Sequence, residues 1–117
     1  MKFNLSILGE QYTVEIDESA ITETCEDLGI DVESTTGLHL SDYHKILVSP
    51  LQDSQEVVQT LLHEVLHAIG TVSGHTILAH STRKNEAFVN MLATALTQLF
   101  NQENFMNFIN NHLRKEE

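Results

Sequence analysis

Thr60-Leu61-Leu62-His63-Glu64-Val65-Leu66-His67-Ala68-Ile69-Gly70 is the stretch on which the reading of this chain turns. Val57, Val58, Leu61, Leu62, Val65, Leu66 and Ile69 recur at helical spacing and predict an amphipathic helix over residues 54–69. Asp53, three residues ahead of Glu56, gives it a capping-box-like start, and Gly70 a C-terminal stop. On that helix His63 and His67 lie one turn apart and project from the same face. Two imidazoles so placed can grip one Zn²⁺ at about 2.0–2.1 Å each. Glu64 is one residue round from His63, close to the ion yet offset from it, where a general base for water would stand. The bland counterpart is a core helix with two satisfied histidines and a surface Glu.

Upstream of this helix the pattern is that of strands. Phe3, Leu5 and Ile7 alternate with Lys2, Asn4 and Ser6, and Tyr12, Val14 and Ile16 alternate with Gln11, Thr13 and Glu15. Gly9-Glu10 between them supplies a tight turn. Residues 19–28 read as a short helix with Ile21, Cys25 and Leu28 inward and Gly29 at its end. A second pair of strands is expected within 31–49, with Leu38–Leu40 and Lys45–Ser49 separated by a turn at Ser41–His44. Downstream, residues 71–82 read as a loop. Ser81 or Thr82 then caps a helix over 83–100, whose apolar stripe is Ala87, Phe88, Met91, Leu92, Ala95, Leu96, Leu99 and Phe100. A last helix over 103–114 points Phe105, Phe108, Ile109 and Leu113 inward, and the tail from Arg114 to Glu117 frays. The expected fold is α+β: a small antiparallel or mixed sheet of three or four strands, packed on the histidine-bearing helix and the helix after it, in one domain spanning 1–117.

Composition narrows the function. With 117 residues, 41% hydrophobic and 20% charged, the chain suits one soluble globular domain. A formal net charge of −11 argues against binding a nucleic-acid backbone, which needs a basic face. Most of the acid precedes Val57, and a solvated acidic surface is its simplest account. Cys25 stands alone, so an intramolecular disulfide and a cysteine zinc site are both excluded. No run reaches the length of a membrane span, and the N-terminus lacks the apolar core of a signal peptide. A cytoplasmic protein without membrane contact is the expectation.

A catalytic zinc takes three protein ligands and keeps one position open. Glu86 is the favoured third ligand: it lies on the next long helix, at the polar edge of that helix's apolar stripe. His75 and His80 are alternatives from the intervening loop, and Glu86 could instead be a solvated carboxylate near a helix start. His-Glu-x-x-His-x-x-Gly-x-x-His fails as a pattern, because Ser73 occupies the last position. His39, His44 and His112 have no partner pattern and read as surface or strand residues.

His63-Glu64-x-x-His67 followed by Asn85-Glu86-x-x-x-Asn90 resembles the gluzincin, thermolysin-like metallopeptidases. The resemblance implies Glu86 as third ligand, with Asn85 and the residue four places after Glu86 orienting the histidines. That second position is usually Asp and here is Asn90. An amide can accept an imidazole N–H and fix its tautomer, yet it lacks the carboxylate's charge. The compact layout over roughly residues 35–100 is also similar to minimal His-Glu-x-x-His proteins of bacteriophages and their hosts, including relatives of a repressor-cleaving protease. Together these imply a zinc-dependent peptidase: Glu64 would take a proton from water and carry it to the departing amine, and His63, His67 and Glu86 would hold the metal. Tyr43, His75, His80 and Arg83 are the candidates for a donor to the substrate's oxyanion. A peptide or protein substrate would add as an extended strand along Leu38–Leu40 or Lys45–Ser49. The rival readings are a non-catalytic, zinc-stabilised interaction domain and a metal-free acidic interaction protein.

Overall fold

The computed structural model describes residues 1–80 and 82–114. Ser81, the alternative helix cap, and the tail 115–117 lie outside the described residues. The fold is α+β; among the described residues it comprises a four-stranded mixed sheet and five α-helices.

Strands β1 (Lys2–Ile7) and β2 (Glu10–Ile16) form an antiparallel hairpin in which Leu5 faces Tyr12 and Ile7 faces Glu10. Its two-residue turn is Leu8-Gly9, one step earlier than the alternation suggests. Both turn residues have positive φ, +50° and +87°, which is the primed geometry that matches the right-handed twist of the strands. Helix α1 (Glu18–Leu28) then crosses one face of the sheet, capped by the Asp17 carboxylate and ended by Gly29. Ile21 and Cys25 bury against Leu47, with Leu38 and Leu40 beside them. Leu28 does not: it is exposed, at the helix end beyond the sheet.

β4 (Lys45–Val48) lies parallel to β2, and β3 (Gly37–Leu40) lies antiparallel to β4, giving the order β1-β2-β4-β3. A short 3₁₀ turn, Ser41–Tyr43, joins the last two strands. β4 is thus paired on both sides, so only β3 of the two proposed docking strands has a free edge. Being covered on both faces explains the unbroken apolar run of Ile46, Leu47 and Val48.

Helix α2 (Ser54–Ser73) covers the other face, its first turn capped by Asp53, which accepts from the Glu56 N–H at 2.8 Å. Tyr12, Val14, Ile46 and Val48 meet Ala68 there, flanked by Leu61, Val65 and Ile69. The helix does not stop at Gly70. It continues to Ser73 and ends on Gly74, which has φ +74° and donates its N–H to the Gly70 carbonyl. Gly70 serves packing instead. A Cβ there would lie 2.6 Å from the Leu78 carbonyl carbon and would also meet the Ala79 backbone, where the single-turn helix α3 (Thr76–Ala79) presses on α2.

Helix α4 (Arg83–Phe100) packs on the outer side of α2 along Val89, Ala93 and Thr97. The seam is narrower than the expected stripe: Phe88, Met91 and Phe100 are exposed. Small residues at the seam let two helix backbones approach closely, and Thr97 satisfies its own hydroxyl on the Ala93 carbonyl at 2.7 Å. Helix α5 (Glu103–Leu113) rests on α4 through Phe105 and Ile109, both half-buried, and leaves Phe108 and Leu113 in solvent. Among the described residues, no helix is long and apolar enough to cross a membrane.

Candidate metal centre

The close seam between α2 and α4 sets the site. His63 and His67 rise one turn apart from α2, their ring centroids 4.8 Å apart and their planes at 71°. Glu86 comes from the first turn of α4, where the helix N-terminus favours a carboxylate. Thr82 caps that turn by accepting from the Asn85 N–H at 3.2 Å. His63 Nε2 and His67 Nε2 stand 3.2 Å apart. The Glu86 carboxylate lies 3.0 Å from the first and 2.7 Å from the second. Tetrahedral ligands at zinc–nitrogen distance are separated by about 3.3 Å along each edge. Two histidines and one carboxylate therefore already describe roughly one face of such a polyhedron, and the group could hold a metal ion.

His67 Nδ1 lies 2.6 Å from the Leu78 carbonyl oxygen, which only accepts, so Nδ1 carries the hydrogen. In the neutral ring Nε2 is then a lone pair, aimed at His63 Nε2 and at Glu86. Glu86 Oε1 is itself buried and receives no hydrogen bond among the described residues. His67 Nε2 and Glu86 Oε1 are thus two acceptors facing each other at 2.7 Å, a contact that calls for a positive centre between them, a metal ion or an added proton. Two imidazoles and one carboxylate are a donor set that divalent transition-metal ions accept.

Glu64 sits beside this cluster and is only 9% exposed. It can pack there because β3 begins with glycine: a Cβ on Gly37 would come 3.1 Å from Glu64 Oε2 and 2.6 Å from Thr60 Cγ2. Burial, then the neighbouring Glu86 charge, pushes its carboxyl up to about 8. Two open cavities of about 350 and 420 Å³ flank the cluster, and His63, Glu64, Glu86, Gly37 and Leu38 line both. They form one trough along the free edge of β3. No family model, curated protein or solved structure matches this chain.

The remaining site residues distribute unevenly. Asn90 lines the first cavity. Asn85 contributes its backbone to the α4 cap, and among the described residues neither asparagine side chain bonds a histidine. The orienting contact to His67 comes from Leu78 instead, a backbone acceptor that no residue pattern announces. His75 accepts from the Leu78 N–H at 3.3 Å as the cap of α3, and His80 ends that turn in solvent, so neither joins the cluster. Tyr43, His75, His80 and Arg83 line neither cavity. Tyr43 is 77% exposed on the α1 side of the sheet.

His39 was not legible as a site residue, yet it lines the second cavity with His63, Glu64, His67 and Glu86. On β3 Leu38 and Leu40 turn toward α1, which leaves His39 and Gly37 on the α2 face. Its Nε2 lies 3.2 Å from the Tyr12 hydroxyl. Burial, with His67 and His44 nearby, lowers its pKa to about 4. The one available hint was a histidine flanked by two leucines in a strand, a polar group on what pairing makes an inward face.

Proposed function

We propose that this protein is a zinc-dependent metallopeptidase, cleaving peptide bonds of a narrow protein substrate in the manner of a minimal gluzincin. The observation that carries the reading is the meeting of His63, His67 and Glu86 with a buried carboxyl, Glu64, in a trough beside an unpaired strand edge. A metal held only for folding needs no acid beside it, and it is closed rather than open to two cavities.

His63 and His67 in their neutral forms and anionic Glu86 would hold the ion. When bound, Zn²⁺ would acidify water and polarise a carbonyl. With the ion's charge beside it Glu64 would ionise, and could then take a proton from the attacking water and deliver it to the leaving amine. The free edge of β3 offers backbone groups to an extended substrate, so that strand addition positions the scissile bond over the cluster. Leu78, through its carbonyl, keeps the His67 lone pair directed toward Glu86, where an ion would be held.

Elemental analysis of protein purified without chelator is the first test, with about one zinc per chain expected. Glu64→Gln should then retain zinc and lose hydrolysis of a peptide pool. Full activity in that variant would refute the role given to Glu64. Stoichiometric zinc in a wild-type chain that cleaves nothing and unfolds on chelation would favour the zinc-stabilised interaction domain.

A further inference from the structure

A peptidase site of this kind needs a donor for the carbonyl oxygen of the scissile bond, where negative charge develops. None of the polar residues after the motif helix that were natural candidates reaches the trough, whereas a strand residue ahead of it does. We infer that His39 donates a hydrogen bond to that oxygen, with Tyr12 as its positioning residue; this rests on the peptidase reading above.

Tyr12 is 1% exposed. A buried phenol must place its O–H on an acceptor. Among the described residues its hydroxyl has one hydrogen-bond partner, His39 Nε2 at 3.2 Å. The phenol is therefore the donor and Nε2 the acceptor. A neutral imidazole accepting at Nε2 carries its hydrogen at Nδ1. That N–H bonds no protein group among the described residues, and the ring lines the cavity shared by His63, Glu64, His67 and Glu86. His44 stacks on the other side of the phenol with centroids 5.1 Å apart, which fixes the tyrosine plane. The outcome is a neutral ring with a free donor at the catalytic trough, clamped from beneath by a buried side chain. Because β3 is also the substrate's docking edge, the same strand would align the peptide and supply the donor.

The test uses the zinc-loaded full chain, acetohydroxamate as a probe whose carbonyl oxygen mimics the substrate's, and a cleavable peptide. His39→Phe keeps the ring's bulk and removes both nitrogens. It is expected to keep one zinc per chain, to weaken acetohydroxamate at least tenfold by calorimetry, and to lower kcat about 10²-fold with KM little changed. His39→Gln, which retains an N–H donor, should recover part of both losses. Tyr12→Phe should fall between wild type and His39→Phe, since it frees the tautomer without removing the donor. Equal acetohydroxamate affinity and kcat in wild type and in both His39 variants, with zinc retained, would overturn the assignment and leave the peptidase reading standing. A wild-type chain that takes up no zinc would overturn both.

Discussion

Gly70→Ala is the substitution that separates the helix from the site it carries. Within α2, alanine is favoured over glycine by about 1 kcal/mol. Here the new methyl would sit 2.6 Å from the carbonyl carbon of Leu78 and 2.6 Å from its Cβ, far inside contact distance. The Leu78 carbonyl and its Cβ belong to α3, so the clash is with backbone and cannot be relieved by one rotamer. Overpacking of this kind costs about 1–3 kcal/mol. Net destabilisation of zero to about 2 kcal/mol is expected, small for a core change. The larger effect falls elsewhere. Moving α3 outward by even a few tenths of an ångström stretches the 2.6 Å bond from His67 Nδ1 to the Leu78 carbonyl. Outer contacts that orient ligand histidines are worth about 10–100-fold in metal affinity. Thermal melts of the metal-free protein and zinc titration against a competing chelator would read the two effects apart. A Gly70→Ala protein that is more stable than wild type and binds zinc as tightly would refute the account of both Gly70 and Leu78.

Three further substitutions or conditions test the site. Glu86→Gln keeps the shape but removes the charge, and should weaken zinc by more than the roughly 10–100-fold of an orienting contact; unchanged affinity by the same titration would remove Glu86 from the ligand set. Metal-free protein should lose stability as pH rises from about 5 to 8. The Glu64 carboxyl holds its proton up to about 8 when folded, against an ordinary 4.5, so over that window the folded state binds the extra proton. The slope integrates to at most a few kcal/mol, is visible as a falling Tm, and should flatten in Glu64→Gln. Gly37→Ala should clash with Thr60 and crowd the Glu64 side chain between β3 and α2, lowering peptide hydrolysis well before it lowers zinc affinity; equal losses in both would show that the glycine acts on the metal site as a whole.

Much of the architecture could be read from local pattern. The alternation around Phe3–Ile7 and Tyr12–Ile16, the apolar run at Ile46–Val48 and the Asp53 cap each express a force that acts within a few residues. The parallel pairing of β2 with β4 did not follow from any such pattern, because it depends on α1 and β3 lying between them in sequence. Gly70 and Gly74 show the limit clearly. Both are glycines at a helix end in the sequence, and only the close approach of Leu78 distinguishes the packing glycine from the one with positive φ. On α4 the aromatic residues drew the expected stripe toward Phe88 and Phe100; Leu92 and Leu96 of that stripe do flank the seam, whose buried line is Val89, Ala93 and Thr97. His63, Glu64, His67 and Glu86 are brought together as their spacing suggested. Leu78 meets His67 through a backbone oxygen and His39 reaches the cavity from a strand face, neither of which a residue type reveals.

The two helices that would share the ion meet through an apolar seam centred on Leu66, Val89 and Ala93 and flanked by Leu62, Ile69, Leu92 and Leu96. With a lone cysteine, Cys25, the chain has no covalent tie between them. An ion bridging His63, His67 and Glu86 would act as a removable staple, closing the segment from residue 63 to 86 and pinning the start of α4. Its strength is set by the supply of metal, not by redox state. Loss of the ion would then be felt first at the start of α4, and through it at the lightly seated α5, while the sheet with α1 would keep its own core.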